Sequence, residues 1–493
     1  MSFGVNSGGS RENLPGSLRY TAFGEHLFAS LSSAIEAAFP YSINGKVMKT
    51  KLLGSGSTSH ASSLASLKTG AAASSSCTLQ SIRVLRYHPG IGARWRGTAI
   101  FSTGVANSSQ ILGIGNASDG FFFGYNGTAF GLLHRKGGEL EITKLTVSAP
   151  SSGGGDVTIT LDDDAFVVTL SGALAVEAVA SEIAADTFLG WTPYAYGDEV
   201  WFVSHKAEAK AGTYSFVDTD TTGAAAAFVE QVAAVASTDT WVSQTAWSED
   251  VMDGTGPSKM TLDPTKGNVY QICYQWLGFG MISFYMEDST TGDFQLVHKL
   301  QYANANTATS INNPSLPICC TVENTTNDTD VVLKVPSLAA FVEGENDDHG
   351  PRFVKSNAKA GITTETSILT IRNNLVAGSI ENRSKIVVKF LSLATETGNK
   401  VAAFRVVRGA TLGGSPSYAS VDTDSIVSFD VAGTTVTGGD ELFAQTLSQD
   451  SSDKVFLNNG LVIELFPGET LTFAGGSALS SDMTAAMSWV EII

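Results

Sequence analysis

A mostly β fold is predicted for this chain: several antiparallel β-sandwich or jelly-roll bodies, with one small inserted α+β module. Three observations predict it. Charged residues make up only 16% of the 493 positions while hydrophobic residues reach 43%, so cores can form but long solvated helices, which need Lys and Glu, are not expected. Glycine, 50 residues, together with Ser, Thr and Asn replaces the missing charge and supplies tight turns and strand positions. Short apolar runs recur between turn residues along most of the chain. At this length a single core is rarely enough, and three or four domains are expected.

Residues 1–78 read as an N-terminal attachment arm and linker. Within Glu25–Phe39 the apolar Leu27, Leu31, Ala34, Ile35 and Phe39 fall at helical spacing, and Pro40 would end a short helix. Such a helix is marginal alone and needs a partner surface, either on another protein or on its own domain. Residues 54–76 are rich in Gly, Ser and Ala with few large side chains, which predicts an extended linker.

Residues 79–142 plus 241–314 form the expected β-sandwich. Its first strands are Ser81–Tyr87, Trp95–Phe101, Gln110–Gly115, Gly120–Tyr125 and Thr128–His134, with a hairpin turn at Asn126-Gly127. Residues 143–240 read as a small α+β module inserted into a loop of that sandwich. Strands are expected at Lys144–Val147, Asp156–Leu161, Ala165–Leu170, Glu199–Ser204 and Gly212–Phe216, with one short helix carrying Val176, Val179, Ala180 and Ile183 on one face. The run Ala224–Ala236 suits helix or strand. Sandwich text resumes at Asp239–Trp247 and continues through Val269–Leu277, Met281–Asp288 and Phe294–Gln301. Pro314 to Pro317 punctuate a boundary, and 315–493 reads as a C-terminal jelly roll of eight strands, from Thr363–Asn373 to Ala485–Ile492, Val455–Leu465 being one of them.

A formal net charge of −18 repels phosphate, which argues against nucleic acid and anionic membranes as main partners. No run reaches the length needed to cross a bilayer, so no membrane insertion is expected. The opening residues show no basic region followed by an apolar run, so synthesis and folding in a reducing cytoplasm are expected. Cys77, Cys273, Cys319 and Cys320 are spaced too irregularly for a disulfide framework or a metal knuckle. Sequons at Asn107, Asn116, Asn126, Asn324, Asn327 and Asn382 are what chance gives in such a composition. The histidines are scattered, and the densest carboxylate groups, Asp162–Asp164 and Glu343–His349, lack a calcium-loop pattern. No metal, no cofactor and no catalytic residue is expected, and the chain reads as not an enzyme. Trp191, Tyr194 and Tyr196, around Pro193 and Gly197, are the expected exposed contact residues, suited to sugar or protein.

Three blocks carry a resemblance. Gly120–Arg135 and Met252–Tyr270 look like recurrent segments in β-rich structural (fibre, spike or capsid-surface) proteins of tailed phages and large DNA viruses. Leu461–Thr472, ending in Ser488–Glu491, resembles the closing strands of trimeric viral jelly rolls. The resemblance covers roughly residues 80–310 and, more loosely, the C-terminal domain. It implies a virion location and a homotrimer; contact with other virion proteins through the N-terminal segment, and a host surface glycan or receptor as outer partner, are further expectations. It brings no catalytic residues. It leaves open a tail fibre or spike, a capsid decoration or head-fibre protein that stabilises the shell, and, from another class, a glycan depolymerase.

Overall fold

The structure, a computed structural model, describes residues 19–20, 26–27, 31–344, 349–395, 401–457 and 462–493. Antiparallel sheets dominate it, and one α-helix, Val176–Ala185, is present among the described residues.

The largest body is a two-sheet sandwich. One sheet has seven strands in the spatial order Thr238–Ser243, Ala129–Lys136, Gly120–Asn126, Ser108–Gly115, Ile318–Asn324, Ser75–Ser81 and Met48–Leu53. The facing sheet centres on Ala93–Phe101, flanked by Asn268–Tyr274 on one side and by Val332–Val335 and Ser337–Glu343 on the other. Trp95, Phe101, Phe121, Phe123, Tyr270 and Phe284 close the space between the sheets, where offset and edge-on ring contacts pack densely.

Several expectations are corrected in this body. The helix expected up to Phe39 is strand over its described part, as His26–Leu27, paired with Arg19–Tyr20, and Leu31–Ala38, paired with Ser337–Glu343; residues 25 and 28–30 lie outside the described residues. Ile35, Ala37 and Phe39 are buried in alternation with exposed Glu36 and Ala38, so a period of two wins once a partner strand satisfies the backbone. The 54–76 linker is instead two hairpin strands, Ser57–Ala61 and Leu64–Lys68, and the start of Ser75–Ser81. Small side chains there bury Ala65 and Leu67 completely. The strand expected at Ser81–Tyr87 ends at Ser81, leaving a single bridge from Leu85 to Leu316. Strands Ile318–Asn324, Val332–Val335 and Ser337–Glu343 return to the sandwich and do not belong to the jelly roll, so Pro314 to Pro317 is an internal loop.

At the Asn126 hairpin, Asn126 pairs with Ala129, so the two turn residues are Gly127 and Thr128, one position beyond the expected pair. Gly127 has φ +60, the first-position requirement of a tight hairpin turn.

The chain leaves the sandwich after Lys136 and returns at Thr238, and these two residues pair. The pairing continues through Glu139 with Val235 and Ile142 with Val232. Beyond this two-stranded stalk, Ile142–Ala149 joins a four-stranded sheet, and Gly155–Leu161 joins a three-stranded one. The helix Val176–Ala185 covers them with Val179, Ala180 and Ile183. The ambiguous alanine run forms a strand, Ala225–Val232.

The last body has eight main strands: Arg352–Ile362, Thr366–Asn373, Lys385–Thr395, Ala402–Arg408, Asp440–Leu447, Ser452–Phe456, Thr470–Ser477 and Ser481–Ile492. Counted in that order, one sheet runs first, eighth, third, sixth, and the other second, seventh, fourth, fifth. That is the strand order of a jelly roll. The sequence reading lacked the first strand, and its Val455–Leu465 strand is broken into Ser452–Phe456 and Ile463–Leu465, both paired to the third strand. Trp489, Phe404, Phe473 and Leu391 fill the interior. The C-terminal strand lies between the first and third.

Candidate functional site at the junction of the three bodies

The three bodies meet along one seam, where several polar side chains are buried and hydrogen-bonded. The turn before Gly120 is built by Asn116, whose Oδ1 accepts the N–H groups of Ser118 and Asp119. This aims the buried Asp119 carboxylate outward from the sandwich. Its Oδ1 accepts the N–H of Gly137 (3.1 Å) and of Asn312 (3.0 Å), and its Oδ2 accepts Arg383 Nη1 from the jelly roll at 3.0 Å. Arg383 also donates through Nε to Glu381 at 3.0 Å. Burial alone would disfavour the guanidinium charge, but Glu381 and Asp119 outweigh it and raise the Arg383 pKa. A buried cation shared by two carboxylates, with the other Asp119 oxygen taken up by backbone N–H groups, meets the conditions under which a buried ion pair can form.

The second contact joins module to jelly roll. Arg372 sits between two tyrosine rings, 4.4 Å from the centroid of Tyr196 and 4.3 Å from that of Tyr418. Its Nε donates to Ser428 Oγ and Asn374 Oδ1, while its Nη1 is buried without a hydrogen-bond partner. The Tyr196 hydroxyl donates to the Gly468 carbonyl at 2.7 Å, and burial holds its pKa well above the ordinary range. Lys49 of the sandwich donates to the Tyr194 hydroxyl at 2.8 Å.

The expected exposed contact residues are therefore corrected. Trp191, Tyr194 and Tyr196 lie in a strand, Trp191–Tyr196, and not in a loop. Trp191 is 5% exposed in the core of the module, and Tyr196 is 6% exposed at the seam. Tyr194 is half-buried between Lys49 and a cleft of about 690 Å³ that Lys46, Arg408, Tyr418 and Glu469 also line. Pro193 belongs to the strand, where it pairs opposite Phe202. The tyrosines join bodies of one chain, and their burial removes the exposure on which the contact reading stood.

Other expected features fall as follows. Asp162 and Asp163, with φ +53 and +70, are the two central residues of a tight hairpin turn. Their carboxylates accept the N–H groups of Gly212 and Thr213, and Asp162 pairs with Lys210. Glu343 pairs with Arg94, while residues 345–348 lie outside the described residues. Among the described residues no three His, Cys, Asp or Glu side chains gather as metal ligands. His60, His134, His205 and His298 each bond a backbone group or a hydroxyl. Burial pushes the thiols up, Cys77 to about 12 and Cys273 to about 11. Asn116, Asn324 and Asn382 are buried sequons with their side chains engaged. No helix of the described residues is long and apolar enough to cross a membrane.

Sequence reasoning missed Asp119, Arg372 and Arg383. Arg372 was the most legible, as a lone charge ending the apolar run Ile368–Ile371 in a strand. Asp119 and Arg383 carry no local signal, because their partners are 264 residues apart.

No family model matches the chain, and no curated protein matches it. Among solved structures, a chain from the triple jelly-roll turret assembly of an archaeal virus aligns at 7% identity over 95% of this chain and 98% of its own, with a TM-score of 0.17. A chain from Sulfolobus Turreted Icosahedral Virus aligns at 8% identity over 94% and 97%, also at 0.17. Superposition this loose adds nothing to the assignment, and it is the strand order itself that makes this a mostly antiparallel β protein ending in a jelly roll.

Proposed function

We propose that the chain is a virion structural protein carried on the particle surface, working by adhesion and mechanical support and not by catalysis. The observation that carries this reading is the jelly-roll strand order, joined to a second large sandwich through the buried Asp119–Arg383–Glu381 group. Jelly rolls serve viral capsids, lectins and cupins, so fold alone does not choose among them. Two features favour the first. The jelly-roll interior is filled by Trp489, Phe404 and Phe473, and the sequence blocks 120–135 and 252–270 resemble those of virion proteins.

The finer reading is a homotrimeric spike or fibre component. The outer strands of one jelly-roll sheet, Arg352–Ile362 and Ser452–Phe456, present Val354 (58% exposed) and Phe456 (64% exposed). Apolar groups on open strand edges invite pairing with further chains. Mass spectrometry and electron microscopy of purified particles test the main reading: absence of the chain from particles overturns it. Light scattering on the purified protein tests the finer one, with three times the chain mass expected. A shell position between capsid subunits would indicate a decoration protein instead, and shortening of host surface glycans by the purified protein would indicate a depolymerase.

A further inference from the structure

The outer face of the seven-stranded sheet is divided between two chemistries. Ile111, Phe122, Leu133 and Cys319 make an apolar patch with Trp241. Beside it, pairing register puts Lys51, Thr78 and Thr321 in one row across three strands. The two threonine hydroxyls are 2.9 Å apart and share a hydrogen bond. His205 and Lys206 of the module wall this polar strip, enclosing a pocket of about 180 Å³.

Three cations line the pocket, and two of them are neutralised. Asp239 accepts both Arg135 Nε (2.8 Å) and Arg135 Nη2 (2.7 Å). Glu323 accepts Lys206 Nζ at 2.5 Å. Lys51 has neither an ion pair nor a hydrogen bond with any described residue. In a chain with 48 acidic side chains against 30 basic ones, this half-buried ammonium is the cation of the pocket that no described carboxylate pairs with, and it can meet an anion there. One of the two threonine hydroxyls is used in their mutual bond, so the other hydroxyl and the amide of Gln80 are the donors left for the same partner.

We propose that this pocket binds a small oxyanion, either inorganic phosphate or the carboxylate of an acidic sugar, through Lys51 Nζ and the free hydroxyl proton of the Thr78–Thr321 pair. Charge-assisted bonds of this kind are the strong ones. Burial first and Lys49 second lower the Lys51 pKa to about 8. Facing it are Lys49, Arg383 and Glu381, the pairs Arg135–Asp239 and Lys206–Glu323, Glu208, Cys319 with a raised pKa, and His205, which burial keeps neutral. Lys51 is the group shifted into the range just above neutral, so affinity falls as pH rises through about 8.

Isothermal titration calorimetry of the full chain with inorganic phosphate, glucuronate and glucose tests this. Saturable binding of phosphate, glucuronate or both is expected, with none for glucose, and the anion that binds identifies the source. Lys51→Met weakens binding at least about tenfold without lowering the melting temperature. Should Lys51→Met fail to fold, the pair Thr78→Val and Thr321→Val keeps the charge and loses affinity several-fold. Absence of binding by either anion overturns the proposal, as does unchanged affinity in folded Lys51→Met or in the threonine pair. No particle is involved, so the outcome is separate from the virion reading.

Discussion

Glu491 shows how a charge is accommodated inside this jelly roll. It is fully buried and makes no ion pair with a described residue, yet its carboxylate accepts the Ser425 hydroxyl (2.5 Å), the Ile426 N–H (3.0 Å) and the Trp489 indole N–H (3.1 Å). It thereby pins the loop at 425–426 to the C-terminal strand. Glu491→Ala leaves those donors unsatisfied, and a loss of about 3 kcal/mol is expected from chemical denaturation; Glu491→Gln, which keeps one acceptor, should lose less. His205 gives a second residue-scale prediction. Its pKa falls from 6.5 to about 2, through burial first and then the charges of Lys51 and Lys49. The unfolded chain therefore takes up a proton that the folded chain refuses. This stability is complete above about pH 6.5 and is lost progressively as pH falls toward 2. His205→Phe should flatten that part of the melting-temperature profile between neutral pH and about pH 4; an unchanged slope would refute the assignment.

Elements built from small residues are where pattern and structure part. The hairpin Ser57–Ala61 and Leu64–Lys68 turns through Ser62 and Ser63, both left-handed at φ +53 and +60. Serine is a poor residue for that conformation, whereas Asn-Gly suits it. Replacing Ser62-Ser63 with Asn-Gly should stabilise the protein by about 1 kcal/mol, read as a raised melting temperature. The same residues explain the misreading of 54–76, since Ser and Ala carry little strand signal and only the facing strand Val332–Val335 completes the ladder. Leu31–Ala38 misled in another way. Its apolar residues satisfy a period of 3.6 and a period of two, and a partner some 300 residues away, Ser337–Glu343, decides between them. Where large β-branched and aromatic residues sit between turn residues, as in Gly120–Lys136, the strands were legible to within two residues. The helix Val176–Ala185 was legible from its apolar stripe.

Across the whole molecule, the Arg383–Asp119 pair is more deeply buried than two other ion pairs between sandwich and jelly roll, Arg83–Glu464 and Lys46–Asp440. Arg383→Met strands Asp119 and Glu381 without their cation, and a cost of about 3–5 kcal/mol to the docked arrangement is expected. Limited proteolysis should then cut faster between the two bodies, and small-angle scattering should show a larger radius; identical cleavage rates would argue against the tie. The seam as a unit was not visible in the sequence: Tyr194 and Tyr196 were singled out only as exposed residues, and Lys49, Asp119, Tyr196, Arg372 and Arg383 come from segments that only the completed fold brings together. The jelly roll was anticipated as a class, but its first strand, Arg352–Ile362, was not, being an edge strand whose Lys and Ser alternation lacks a strong apolar side. The pairing of Lys136 with Thr238 has a consequence of its own. Everything between them enters and leaves through one doorway of adjacent, hydrogen-bonded strands, so a two-residue turn or an unrelated folded unit could take its place without opening the sheet. At the expense of the module's flanking contacts through Tyr194, Tyr196 and Lys206, the sandwich would serve as a chassis for interchangeable cassettes.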